Sequence, residues 1–258
     1  MNWHNRTEHL AVISRQSLSL AKTRFKLRNE GSYLGIFWYL LEPLSSFIIL
    51  LFLGRAIQHT TIPYYPVYLL LGLTMFNFFS AVTTASTTAI VSNAAFIKSM
   101  KISKEPFVIS ALIQYIFSHF FEVLILMALA AYLGLPLSGF LFYPVIFVFF
   151  CFFILGCSFI LATIGVYIRD LSNIWAILTR LLWFSTPIFY SLEHVNLLGK
   201  FNSFNFLYYF LSMARKSIIA QSLPEVREII CGAVVGLVLF FAGLFIFQKH
   251  QRQFAERL

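Results

Sequence analysis

The stretch FLFYPVIFVFFCFFILGCSFILATIGVYI, Phe140 to Ile168, carries no charged side chain. It is longer than the ~20 apolar residues needed to cross a bilayer as a helix. Backbone groups in hydrocarbon must be satisfied internally, so a span is either a helix or a strand of a closed barrel. Barrel strands alternate apolar and polar residues. This run is apolar throughout, so it reads as a transmembrane helix.

The rest of the chain repeats the pattern. Of 258 residues, 59% are hydrophobic and 11% charged, against roughly 25% charged in soluble domains. No soluble core of this length could bury so much apolar surface. Six spans are expected, at about 33–53, 66–93, 106–133, 140–168, 171–190 and 229–248. Pro106 is a good first-turn residue for the third. With six spans, both tails share one side with the second and fourth loops. That side holds thirteen of the 19 Lys and Arg, the other side holds five, and Arg180 lies within a span. The positive-inside rule therefore places both ends in the cytoplasm. The net charge of +9 then reads as topology, and nucleic acid is not expected as a partner.

Two segments are neither span nor plain loop. Residues 7–29 mix Leu10, Val12, Ile13, Leu18, Leu20, Phe25 and Leu27 with bases, as in an amphipathic helix lying on the inner membrane surface. Residues 201–221 are too polar and short for a span and too aromatic for an ordinary loop. They read as one or two short re-entrant helices dipping into the outer leaflet. The expected fold is all-α and integral to the membrane, one transmembrane domain over residues 1–258. The N-terminus does not read as a signal peptide, because a long basic stretch precedes the first apolar run.

Several chemistries are excluded. Asp170 is the only aspartate, which leaves no paired aspartates for a metal-dependent glycosyl transfer. The six histidines show no metal-ligand spacing, and no glycine-rich loop ends in Lys-Ser or Lys-Thr. Cys151, Cys157 and Cys231 lie in or at the start of apolar runs and read as packing residues. No catalytic residue, metal or cofactor is expected on this chain, and energy for any work must come from elsewhere.

The ionisable residues expected inside spans are Glu42, His119, Glu122 and Arg180. Such groups face a bundle interior or a wet path. His119 and Glu122, three apart, share a helix face. The plain reading is structural pairing, for instance Glu42 with Arg180; a proton relay would need more such groups. AVTTASTTAIVSN, Ala81 to Asn93, suits either close helix packing or the wall of an aqueous path. Gly232 and Gly236 form a G-x-x-x-G pair compatible with packing. The second cytoplasmic loop reads Phe96, Ile97, Lys98, Ser99, Met100, Lys101, Ile102, Ser103, Lys104, Glu105. A short helix there would offer apolar knobs with a charged rim, fit for a partner groove; the bland alternative is a plain basic loop.

Three stretches together resemble the transmembrane subunit of ABC-type polysaccharide exporters, the family that exports O-antigen, capsule or teichoic acid. They are TRFKLRNEGSYLGIFWYLLEPL (Thr23 to Leu44), YPVYLLLGLTMFNFFSAVTTASTTAIVSNAAFIKSMKISKEPFVIS (Tyr65 to Ser110) and VYIRDLSNIWAILTRLLWFSTPIFY (Val166 to Tyr190). The first is similar to the family's basic leading segment and aromatic-rich first span. The second is similar to its Leu-x-Gly, Ser-Asn and Lys-rich coupling segment. The third is similar to its Arg-Asp turn and a span closing on Thr-Pro-Ile-x-Tyr.

The resemblance implies a homodimeric permease in the bacterial inner membrane, paired with two copies of a separate P-loop ATPase that binds ATP and Mg. Its substrate would be a lipid-linked polysaccharide. It implies a coupling helix at Phe96 to Glu105 and an interfacial helix at Arg15 to Asn29, where Lys22, Arg24, Lys26 and Arg28 would meet incoming substrate. It implies gate helices at about Asn202 to Gln221. Channel and gate aromatics would include Trp38, Tyr39, Trp183, Phe184, Tyr190, Phe204, Phe206, Tyr208 and Tyr209. Where the family often carries Asn-Pro before the gate helices, Asn205 here precedes Phe206. Rival expectations are a permease for a drug or small hydrophobic molecule and a membrane-embedded glycosyltransferase.

Overall fold

The computed structural model describes residues 3–29, 38–57, 62–99, 102–191, 202 and 205–258, and no strand occurs among them. The helices are α1 (Trp3–Asn29), α2 (Trp38–Ile57), α3 (Tyr65–Thr87), α4 (Ala94–Ser99), α5 (Glu105–Tyr132), α6 (Tyr143–Tyr167), α7 (Leu171–Ser185), α8 (Phe206–Ile218), α9 (Val226–His250) and α10 (Phe254–Arg257). Four helical stretches among the described residues are long and apolar enough to cross a membrane: α3, α5, α6 and Val226–Arg257, which is α9 with the short tail beyond it. A shorter apolar run, Pro43–Gly54, lies in α2.

Proline sets several boundaries. Pro66, Pro106 and Pro144 sit in the first turns of α3, α5 and α6, where a missing N–H costs nothing. The span expected to reach Tyr190 ends as a helix at Ser185. Thr186, just before Pro187, is extended (φ −81°, ψ 132°), because the proline ring disfavours helix in the residue before it. At about 1.5 Å per residue, the 13-residue α8 falls short of the ~30 Å hydrocarbon core. It therefore cannot span by itself. The stretch expected to stay helical to Asn93 breaks after Thr87, and Val91–Asn93 is a separate 3-10 turn. Helix α5 closes with Leu135 N–H bonded to the Ala130 carbonyl and Gly134 N–H to that of Ala131. Gly134 takes φ +77°, as this C-terminal cap demands.

Helix α3 is buried along most of its length and packs on α5, α6 and α7. Its Leu69, Leu71, Met75, Phe78 and Phe79 form the central core with Phe150, Phe153 and Phe210. Helix α9 lies on the outside along α6, its most extensive partner. Ile230, Val234, Val238, Phe241 and Phe245 make an exposed stripe along α9, at the three-to-four spacing of a lipid-facing side. Its other side is glycine-rich. A Cβ at Gly236 would sit 2.7 Å from the Phe149 carbonyl, and one at Gly243 would strike the Gly156 carbonyl. The G-x-x-x-G pair thus serves packing inside the chain: Gly236 against α6, and Gly232 against Met213 of α8.

The two ends of the bundle differ. One gathers α4, the start of α5, the end of α6 and the chain's C-terminus, through Lys104 to Gln251 and Tyr167 to Gln253. The other gathers Tyr65, Tyr68, the 186–191 turn, α8 and the 137–141 turn. Helix α1 runs along α5. There the Arg24 guanidinium donates to the Phe107 carbonyl (3.4 Å) and Phe25 meets Phe117 at 5.9 Å between ring centres.

Candidate functional site

Between α2, the second half of α3, the middle of α5 and the start of α7 opens a cavity of about 510 Å³. Asn77, Ser80, Ala81, Thr84, Ala85 and Thr88 of the α3 side line it, with Tyr115, Ser118, His119 and Glu122 of α5 opposite. The hydroxyl-rich stretch divides by face, one side buried and the other lining this cavity. Thr83 and Ser86 point into the protein and are fully buried. Their hydroxyls donate to the Phe79 and Val82 carbonyls one turn back (2.7 Å each), and Trp175 Nε1 donates to Thr83 Oγ1 (3.0 Å). The face at 77, 80–81, 84–85 and 88, at helical spacing, is left for the cavity. Gly165 lets α6 come against the Thr87 carbonyl without a Cβ between them.

His119 and Glu122 come together as their spacing suggests, with His119 Nδ1 3.4 Å from Glu122 Oε2. The sequence does not reveal the third member. Tyr143, from the first turn of α6, places its hydroxyl 2.6 Å from His119 Nε2. Phe147 stacks on the imidazole at 4.6 Å, nearly parallel. The three polar groups make one chain, from phenol to imidazole to carboxylate, beside the cavity. Tyr143→Phe is expected to lower stability by about 1 kcal/mol through loss of a buried hydrogen bond. Thermal unfolding in detergent measures this, and an unchanged midpoint would show the bond to be idle.

At the opposite end from the C-terminus, Arg215 of α8 is the organising residue. Its Nη1 donates to the Pro187 carbonyl (2.7 Å) and its Nη2 to the carbonyls of Ile188 (2.9 Å) and Tyr68 (3.4 Å). The guanidinium lies 3.4 Å over the Tyr68 ring. Burial lowers its pKa to about 10, against the raising influence of Tyr68 and Tyr208, so it keeps its charge at neutral pH. Tyr68 Oη donates to the Tyr190 carbonyl (2.8 Å) and Tyr65 Oη to that of Phe189 (3.2 Å). The 186–190 turn is thus held from two sides. Asn205 caps α8 by accepting from Leu207 N–H (3.2 Å), while its Nδ2 donates to Thr186 Oγ1 (2.9 Å). That fixes the start of the helix at Phe206 without a proline. Lys216 pairs with Glu228 of α9 at 2.5 Å, and that bond raises its pKa. A second cavity of about 530 Å³ opens here, lined by Tyr64, Tyr68, Tyr208, Ser212, Arg215 and Lys216.

At the end bearing the C-terminus, α4 turns Phe96, Lys98 and Ser99 outward and buries Ile97. Ile102 and Ser103 are half-buried. Lys104 and Glu105 are drawn inward: the Lys104 ammonium donates to the Gln251 carbonyl, and Glu105 Oε1 accepts from Gln251 Nε2 (3.3 Å). Burial lowers the pKa of Lys104, partly offset by Glu105. Phe96, Ile102 and Ser103 share a groove with Gln16, Ser19 and Leu20 of α1, so the expected docking segment and the N-terminal helix meet. On α1, Lys22 and Lys26 are exposed and Arg24 is half-buried, its pKa lowered chiefly by burial.

The remaining expected residues are dispersed. Trp183 touches Phe184 and Phe189 at 4.8 and 5.3 Å between ring centres. Phe184 is exposed, and Tyr190 Oη donates back to the Ser185 carbonyl (2.9 Å). Phe206 and Tyr209 are exposed on α8, with Tyr208 half-buried. Arg180 is exposed on α7; its expected partner Glu42 has a side chain outside those described. For Arg28, Trp38 and Tyr39 the structure likewise describes helical backbone only. Met100, Lys101 and Phe204 lie outside the described residues. Among the described residues no group of three His, Cys, Asp or Glu side chains could hold a metal.

A family model described as ABC-2 type transporter matches residues 15–219. A protein of Myxococcus xanthus named O-antigen export system permease protein RfbA is 24% identical over 245 residues, covering 93% of this chain and 94% of its own. Two proteins of the same name from Klebsiella pneumoniae are 23% and 24% identical over 256 residues, each covering 96% of this chain and 94% of its own.

Proposed function

We propose that this chain, which belongs to the ABC-2 type transporter family, is the permease of an exporter that moves a lipid-linked polysaccharide outward across the bacterial cytoplasmic membrane. The observation that carries the reading is the end-to-end likeness to three O-antigen export permeases. The hydroxyl- and carboxylate-lined cavity between α3 and α5 supports a polar passenger, since an apolar drug gains nothing from such walls.

In this reading the chain crosses the membrane six times, through α2, α3, α5, α6, α7 with the turn after it, and α9. Both ends are cytoplasmic, and α8 is re-entrant at the outer face. Two copies form the conduit, and two copies of a P-loop ATPase subunit supply the work with ATP and Mg. The segment Phe96 to Glu105 receives that work. Lys22, Arg24, Lys26 and Arg28 on the interfacial helix attract the anionic lipid carrier, as basic residues near an anionic surface do. The aromatics of α2, α7 and α8 offer faces to sugar rings, and the chain carries out no covalent step.

The test is deletion of the chain in its own bacterium, followed by gel analysis of surface and intracellular polysaccharide. The expected result is loss of the surface glycan and build-up of its lipid-linked form inside. Unchanged surface glycan together with altered tolerance to small hydrophobic compounds would replace the reading with a drug permease.

A further inference from the structure

Helix α4 has six residues, too few to hold its own shape. Something else must fix the direction in which Phe96 and Lys98 face. Ile97 supplies its grip on the protein, buried in one cluster with Phe107, Phe247 and Phe254. Phe254 belongs to α10, which touches both α4 and α6. After His250 the chain leaves α geometry for a 3-10 turn, Gln251–Gln253. That turn swings Phe254 back under the bundle, 5.3 Å from Phe247 and fully buried. Polar contacts hold this tail on both flanks. Lys104 donates to the Gln251 carbonyl and lies 5.7 Å over the Phe254 ring, and Gln251 donates to Glu105. On the other flank, Tyr167 Oη donates to Gln253 Oε1 (3.1 Å), with Arg257 5.9 Å over the Tyr167 ring.

A tail with three charges in its last seven residues would ordinarily be solvated. This one is fastened to α4, to the start of α5 and to the end of α6, and it is continuous with α9. Displacing α4 must therefore either carry α9 along or break its contact with the tail.

We propose that the tail after His250 is a strut that sets the pose of α4, with Phe254 as the positioning residue that passes force from Phe96 and Lys98 to α9. This rests on the reading of α4 as the segment that meets the ATPase. Force on α4 enters the protein through Ile97, because the other described α4 side chains are not buried, and the cluster around Ile97 includes Phe254 and Phe247 as well as Phe107.

The experiment uses the full chain co-expressed with its ATPase partner, measuring surface polysaccharide, co-purification of the ATPase and ATP hydrolysed by the purified complex. Phe254→Ala is expected to keep the ATPase bound and hydrolysing while export falls at least fivefold. Phe254→Leu, which refills the space, should restore most of the export. Lys104→Met leaves the buried ring in place and should lower export about threefold at normal protein level. If Phe254→Ala does not accumulate, Lys104→Met decides. Normal export by both Phe254→Ala and Lys104→Met overturns the strut. Export lost only in step with the amount of protein, with no rescue by leucine, overturns it too. A double variant, Phe96→Ala with Lys98→Ala, separates the two ideas. If it exports normally, the docking reading of α4 fails; if it alone is impaired, only the strut fails.

Discussion

Arg215→Met should lower the unfolding midpoint of the purified chain in detergent by about 10 °C and abolish export. The guanidinium makes three bonds to backbone carbonyls and stacks on Tyr68. Bonds to a charged donor are each worth about 1.5–3 kcal/mol. Methionine fills the space but leaves the Ile188 and Tyr68 carbonyls without this donor, so the loss is on the order of 3 kcal/mol or more. Pro187 is partly rescued, because Tyr68 Oη also reaches its carbonyl (3.3 Å). Arg215→Lys should fail nearly as badly. A single ammonium can neither fork between two carbonyls nor stack its plane on an aromatic ring. The consequence for transport is geometric: without Arg215 only the Asn205–Thr186 bond at the start of α8 is left, of these two ties, to hold the helix to the turn that leads out of α7. A wild-type midpoint for Arg215→Met would show the network to be ornamental.

Gly156→Leu should prevent the chain from accumulating in the membrane. A Cβ at Gly156 would stand 2.5 Å from the Leu239 carbonyl and 2.7 Å from the Phe240 nitrogen. Both are backbone atoms, so no rotamer change relieves the clash and the two helices must separate. Without water to drive helices together, their association depends on close backbone approach, and α6 with α9 is the most extensive helix pair of the fold. Overpacking a single core site costs about 1–3 kcal/mol; a leucine wedged between backbones belongs at or beyond the top of that range. Val238→Ala, on the exposed stripe of α9, is the control, expected to shift stability by less than about 0.5 kcal/mol. Membrane yield and the unfolding midpoint report both. Normal accumulation of Gly156→Leu would mean that α6 and α9 are not packed through this glycine.

Much of this protein was legible because lipid simplifies the rules. The uncharged run at Phe140–Ile168 had to be a helix, since hydrocarbon offers no other partner for its backbone. Pro66, Pro106 and Pro144 mark helix starts in any setting. Pro187 ends α7 for an equally local reason, although hydropathy alone extended that span to Tyr190. Spacing also put His119 and Glu122 on one face, because three residues apart is a fixed angle on a helix.

What the sequence could not fix is which residues far apart in the chain share a surface. Tyr143 reads as one more aromatic at a helix start, and only the packing of α6 on α5 brings it to His119. Arg215 reads as an outside charge in a polar segment, because a buried cation held by carbonyls alone leaves no acidic partner to find. The hydroxyl-rich stretch allowed either packing or a path. Tertiary structure divides it by face, burying Thr83, which meets Trp175, and Ser86, and leaving Ser80, Thr84 and Thr88 at the cavity. Nothing in the spacing of the C-terminal tail, with Arg252, Glu256 and Arg257 around it, marks Phe254 as a side chain buried beneath α4. Local backbone physics and the bilayer decide where the helices are. Close approach of α9 to α6 at Gly156, Gly236 and Gly243 is a tertiary matter, because only packing shows which backbone each glycine must admit.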